Sequence, residues 1–140
     1  MKQDIAITTD AVIFAEEKGA LYLLLIKRKN EPYQGQWALP GGFLEEDELL
    51  KTGCLRELQE ETGLELEHVE RVGIYDAIQR DPRGRTLSVA FTTKLSQREP
   101  IKGSDDAAEA KWVLLKDVEE IAFDHGQIIE EALEKLQISL

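Results

Sequence analysis

A single cysteine, Cys54, stands in 140 residues, so the chain can form no intrachain disulfide. No apolar run approaches the roughly 20 residues that a membrane-spanning helix needs. No signal-peptide pattern opens the sequence either, and together with the lone thiol this points to the cytoplasm and away from a membrane. Basic residues are in short supply: 17 Lys and Arg against 28 Asp and Glu give a formal net charge of -11. That balance argues against a nonspecific nucleic-acid or anionic-lipid surface. It leaves a phosphate substrate open, because bound cations invert the local potential. The two histidines, His68 and His125, fall in no zinc-ligand pattern. The length suits one domain over residues 1–140 and has no room for a second.

What the chain does have is concentrated in residues 42–64, GFLEEDELLKTGCLRELQEETGL. Residues three and four apart on a helix share a face, so Glu57, Glu60 and Glu61 are neighbours and repel one another unless something cationic lies between them. Hard divalent ions such as Mg2+ take oxygen ligands and bridge to substrate phosphates. The stripe therefore suits metal-assisted attack of water on a phosphoanhydride. Asp47 is the expected N-cap, Glu48 falls in the first turn, and Gly63 supplies a left-handed C-cap, giving a helix over about 47–62. Gly53 and Cys54 predict close packing against a sheet, with Leu55, Leu58 and Thr62 on the buried face. Leu39-Pro40-Gly41-Gly42 predicts a turn with two residues free to take positive φ. A solvated acidic face would explain the charges but not the glycine entry, the Arg56-Glu57 pair and the Gly63-Leu64 exit at these offsets.

Apolar, β-favouring runs over 4–15 and 20–29, joined at Glu16-Glu17-Lys18-Gly19, predict a hairpin. The second run lacks alternation and predicts a central strand covered on both faces. Further strands are expected at 37–39, 65–78, 86–95 and 109–115, a short turn at Asp117, and a helix over 124–138 with Ile128, Ile129, Ala132, Leu133 and Leu136 at helical spacing. Trp37 and Trp112 read as packing residues within strands.

The spacing Gly42, five residues, Glu48, seven residues, then Arg56-Glu57-Leu58-Gln59-Glu60-Glu61-Thr62-Gly63-Leu64 matches every fixed position of the Nudix box. The chain thus resembles the Nudix pyrophosphohydrolases. The resemblance implies an α/β fold, the Nudix α/β/α sandwich with a mixed β-sheet between helices. It also implies Glu57 and Glu61 as metal ligands, Glu60 as a further ligand or orienting partner, a carbonyl of Gly41 completing the metal shell, Arg56 holding the glutamates, and Glu48 as a staple of the loop. The ion implied is Mg2+, with Mn2+ as the alternative. An acid beyond the box often joins such sites; Asp105, Asp106 and Glu109 are available, with Asp106 and Glu109 preferred.

Asp81-Pro82-Arg83-Gly84-Arg85 followed by Thr86-Leu87-Ser88-Val89-Ala90-Phe91 resembles the ADP-ribose pyrophosphatase group, as do Thr8–Phe14 and Ala122-Phe123-Asp124-His125. Guanidinium forks suit phosphate or ribose recognition, which nominates Arg80, Arg83 and Arg85, with Arg28 from a central strand. Phe43 and Phe123 are candidates to stack on adenine. The expected reaction is cleavage of ADP-ribose to AMP and ribose 5-phosphate. The rivals are hydrolysis of a dinucleotide cofactor or an oxidised nucleoside triphosphate, and a Nudix domain that senses ADP-ribose without turnover. A homodimer is compatible with the resemblance, and no exposed apolar stretch demands it.

Overall fold

The computed structural model describes residues 2–102 and 107–138. Strand β1 (Ala6–Glu17) turns through Lys18 and Gly19, both at positive φ (52° and 79°), into β2 (Ala20–Arg28). Two successive left-handed residues make the tight turn whose twist matches a hairpin. The strands pair only near that turn, from Phe14↔Leu23 to Glu17↔Ala20, and then diverge. One short segment fills the opening. Its β3 (Trp37–Ala38) pairs with β2, and its β4 (Gly41–Phe43) pairs with β1.

On its other side β1 runs parallel to β6 (Thr86–Leu95) over ten register pairs, and β5 (Glu70–Tyr75) completes that edge. Strand β7 (Ala107–Leu114) closes the opposite edge against β2. Helix α1 (Leu50–Thr62) and helix α2 (His125–Lys135) cover the two faces. The alternation of β1 shows why: Ala11 and Ile13 join Cys54 and Leu58 of α1, whereas Val12 and Phe14 join Ile128, Ile129, Ala132 and Leu133 of α2. Leu24 packs with the first set and Leu23 and Leu25 with the second, so β2 is covered on both faces as its unbroken apolar run predicts. Each fully buried Leu or Phe contributes about 1.5–3 kcal/mol. The result is the expected α/β/α sandwich around a mixed sheet. Among the described residues no helix is long and apolar enough to cross a membrane.

Several boundaries differ from expectation. Helix α1 begins at Leu50, and its cap position is Leu49 with no side-chain bond, not Asp47. Glu48 is outside the helix because its carboxylate accepts the Glu45 N–H and is gripped by Arg56. Gly53 makes room for the loop rather than the sheet: a Cβ there would lie 2.8 Å from both the Glu48 carboxylate and Leu44. Leu55 is only half-buried. Strand β5 is limited to Glu70–Tyr75, β7 starts earlier than expected, and α2 stops at Lys135. Asp124 leaves the α2 cap unbonded because its carboxylate is committed to Arg80. Gly63 does take the left-handed cap, at φ 76°.

Candidate active site

The Gly41–Gly42 segment is a strand, not a turn. Gly41 and Gly42 extend along β1 opposite Asp10 and Thr9, and neither is among the residues at positive φ. What excludes a side chain is space, on two different sides. A Cβ on Gly42 would stand 2.6 Å from the Glu57 carboxylate, and one on Gly41 would stand 2.1 Å from the Thr9 carbonyl and 2.7 Å from Asp10 Oδ1. The two glycines therefore let α1 close in from one side and the Asp10 side chain from the other.

On the α1 side, Arg56 organises the acids. Its Nε and Nη2 donate to the two oxygens of Glu48 (2.6 and 2.9 Å), and Nη1 donates to Glu57 (2.7 Å) and Glu60 (3.2 Å). Its own proton affinity is raised, chiefly by Glu48, and it holds the Glu48 carboxyl down at about 2. Of the three stripe glutamates Glu60 is the outermost, with its side chain 49% exposed. Glu61 is buried, and its Oε1 accepts the Gly41 N–H at 2.7 Å. Burial pushes its pKa up to about 8 against the pull of that bond, and nearby Glu57 and Asp10 add to the rise. Thr9, opposite Gly42, has a fully buried hydroxyl with no partner among the described residues.

Among the described residues no three acids, histidines or cysteines converge into a ready-made cage. That suits a hard ion which keeps several waters and takes only one or two protein carboxylates. Glu57 and Glu61, one turn apart beside Gly41, offer such oxygens, and a cation would relieve the cost of ionising Glu61. The donor set fits a divalent metal. Cys54 is no rival ligand, since burial raises its thiol to about 12.

On the other side of the glycines lies an open cavity of about 70 Å3, walled by β1, β2, β4, the 80–83 loop and the segment entering α2. Arg28, Arg80, Arg83, Phe43 and Phe123 all line it. Two of its arginines are already matched. Arg80, buried, forks onto Asp124 (2.9 and 2.6 Å); burial opposes its charge and the pair more than restores it. Arg83 forks onto Asp81 (3.0 and 2.7 Å) and lies over the rings of Phe43 and Phe123 at 4.9 and 5.7 Å. Arg28 instead donates Nε to the Pro32 carbonyl (2.6 Å) and faces Phe123 at 5.1 Å. Burial and then Arg83 lower its proton affinity, so an anion there would be welcome. Phe123 itself is held at φ 55°, a costly conformation for a bulky residue.

The remaining sequence candidates fall elsewhere. Arg85 does not line the cavity; its Nη1 ties the 76–85 loop together through the carbonyls of Asp76 (2.6 Å) and Ala77 (3.4 Å). Glu109 is exposed on β7 opposite Lys27, and Asp105 and Asp106 lie outside the described residues. Trp37 covers the core edge under Lys111, and Trp112 donates Nε1–H to the Glu99 carbonyl.

Two residues that composition and spacing could not nominate as site residues are central. Asp10, 6% exposed, accepts a hydrogen bond from the Ser88 hydroxyl and faces His125 Nε2 at 3.4 Å. His125 Nδ1 accepts the Leu39 N–H at 3.1 Å, which places the imidazole proton on Nε2, toward Asp10. Burial lowers the pKa of this histidine and keeps it neutral. The signal for both was present only as the Thr8–Phe14 and Ala122–His125 stretches.

This geometry has close counterparts. The chain is 40% identical over 126 residues to the ADP-ribose pyrophosphatase of Methanocaldococcus jannaschii, covering 90% of this chain and 72% of that protein. It is 34% identical over 133 residues to the ADPR responsive transcriptional repressor NtrR of Acinetobacter baylyi, covering 92% of this chain and 53% of the repressor. Its fold superposes on the NUDIX domain of Shewanella oneidensis NrtR, solved as a complex with ADP ribose, with a TM-score of 0.90 at 36% identity, over 97% of this chain and 90% of that one. The NUDIX domain family matches residues 5–132, nearly the whole sequence, and the chain belongs to that family.

Proposed function

We propose that this chain is a divalent-metal-dependent pyrophosphohydrolase that cleaves the diphosphate of ADP-ribose to AMP and ribose 5-phosphate. The observation that carries the reading is the juxtaposition at Gly41–Gly42: carboxylates of α1 on one side, and a cavity of guanidinium groups and aromatic rings on the other. The 40% identical pyrophosphatase supports the substrate.

A bound Mg2+, or Mn2+ in its place, would neutralise the diphosphate and lower the pKa of the attacking water. Glu57 and Glu61 would hold it, with Gly41 beside them. Arg56 fixes the direction of Glu57 and Glu60, and a glutamate of the stripe takes the proton from water. Asp106 and Glu109 are the candidates from outside the box for the same proton. Arg28 meets a phosphate, and Phe43, Phe123 and Arg83 offer flat surfaces to the adenine. Arg80 braces the wall through Asp124, and Arg85 braces the loop.

Product analysis with ADP-ribose, a dinucleotide cofactor and an oxidised nucleoside triphosphate, each with and without Mg2+, tests this. The expected outcome is AMP and ribose 5-phosphate only with the metal. Should ADP-ribose rank far below the other two, the substrate assignment is wrong. The kinship with a repressor supports one other reading, an ADP-ribose sensor, for which the same assay would show tight binding without products.

A further inference from the structure

Of the two acids that line the cavity, one is committed to an arginine. Asp81 is held by Arg83, and Asp124 by Arg80. Asp10 is the exception among the described ion pairs: its partners are the Ser88 hydroxyl and the neutral His125. Ser88 donates to it and His125 Nε2 faces it at 3.4 Å, so the carboxyl is held as an acceptor between two buried neighbours. A carboxylate offers about four acceptor positions, and these two neighbours leave some of them open. Asp10 also lines the cavity itself.

Charge and size then limit what can approach it. A phosphate would be repelled by Asp10 and is better placed toward Arg28 and the glycines, where the ion would be held. The cavity, about 70 Å3 and open to solvent, is far below the roughly 300 Å3 or more of a pocket that swallows a whole small molecule, so one end of a nucleotide enters it and the rest lies in the open cleft. The end of the ligand that reaches Asp10 is therefore neutral, cyclic and bears hydrogen-bond donors.

We propose that Asp10 is a specificity-determining residue that accepts hydrogen bonds from the neutral ring end of the bound nucleotide, either ribose hydroxyls or an exocyclic base amine; this rests on the ADP-ribose reading of the site. Ser88 and His125 are the positioning residues that aim it.

Calorimetric titration without metal, so that nothing turns over, compares ADP-ribose, ADP, which lacks the terminal ribose, and inosine diphosphate ribose, which lacks the base amine. Wild-type protein is expected to bind at least one analogue about 10-fold or more weakly, the loss expected for a missing hydrogen bond to a charged group. Asp10→Asn is expected to bring ADP-ribose down to the level of that analogue while leaving the analogue itself nearly unchanged. Loss with ADP assigns Asp10 to the sugar, and loss with the inosine compound assigns it to the amine. Equal binding of all three by wild-type protein overturns the inference alone, even if the variant fails to fold. An equal loss of all three in the variant overturns it as well, since that is the mark of a merely structural acid. Wild-type protein that binds none of the three, with or without Mg2+, overturns the ADP-ribose reading and the inference with it.

Discussion

Glu61 and Asp10 are both buried acids beside the same pair of glycines, yet the chain treats them in opposite ways. Glu61 has one backbone donor and acidic neighbours, and its proton is held up to about pH 8. Asp10 accepts from the Ser88 hydroxyl and faces the neutral His125, and two of the three arginines that share its cavity, Arg80 and Arg83, are matched to other acids. One side of Gly41–Gly42 is electrostatically unfinished and would be completed by a cation. The other is nearly balanced before any ligand arrives, with only Arg28 of its arginines outside the described ion pairs. On the proposed reading, chemistry and recognition are separated by the thickness of one short strand.

Glu57→Gln attacks the unfinished side most directly. Turnover should fall about 10²–10³-fold, as when a transition-state charge contact is removed, with the melting temperature near that of the wild type. Near-normal turnover would mean that the α1 stripe is not the reaction centre. Arg80→Ala attacks the balanced side, and the expected damage is to folding rather than to chemistry. Leaving Asp124 without its partner should cost about 3 kcal/mol in denaturant unfolding. An unchanged midpoint would show that the pair is not a brace.

Arg28→Ala should separate the two sides by kinetics. The KM for ADP-ribose is expected to rise about 10–100-fold, the size of a lost charge-assisted bond, with a smaller change in kcat. A loss confined to kcat would put Arg28 on the reaction side instead.

The smallest effect is one of pH. An acid whose folded pKa is raised stabilises the fold fully below its unfolded value of about 4.3, and that contribution is lost as pH rises through the folded value. Without metal, Glu61 should therefore destabilise the protein progressively up to about pH 8. Metal and proton compete for the same oxygens, so the rise in melting temperature caused by Mg2+ should grow over that window. A Mg2+ effect that is flat with pH would remove Glu61 from the metal site.

The α1 side was legible in the sequence because its logic is local: helical spacing alone makes Glu57, Glu60 and Glu61 neighbours and sets Arg56 beside Glu57 and one turn before Glu60. The same holds for the apolar stripe of α2 and the two-sided burial of β2. The cavity was legible only in part. Arg28, Phe43, Arg83 and Phe123 do meet there, but from four separate segments that no spacing connects. Asp10 and His125 meet only because the hairpin diverges and α2 folds back across the opening. The false N-cap at Asp47 has a similar origin, since cap preferences count only local donors and Arg56 reorganises the loop from within the helix. Gly41 and Gly42 do not form the expected turn at positive φ; they lie in a strand, and crowding is what forbids a side chain there.

The segment that fills the opening of the hairpin also carries two natural probes. The Leu39 amide proton points at a histidine ring and the Gly41 amide proton at a glutamate, so neither is buried in a ladder of strand bonds. Amide hydrogen exchange at these two positions should therefore follow the two sides independently. Metal should alter the rate at Gly41, nucleotide the rate at Leu39, and a peptide spanning just three residues would record in what order the site is filled.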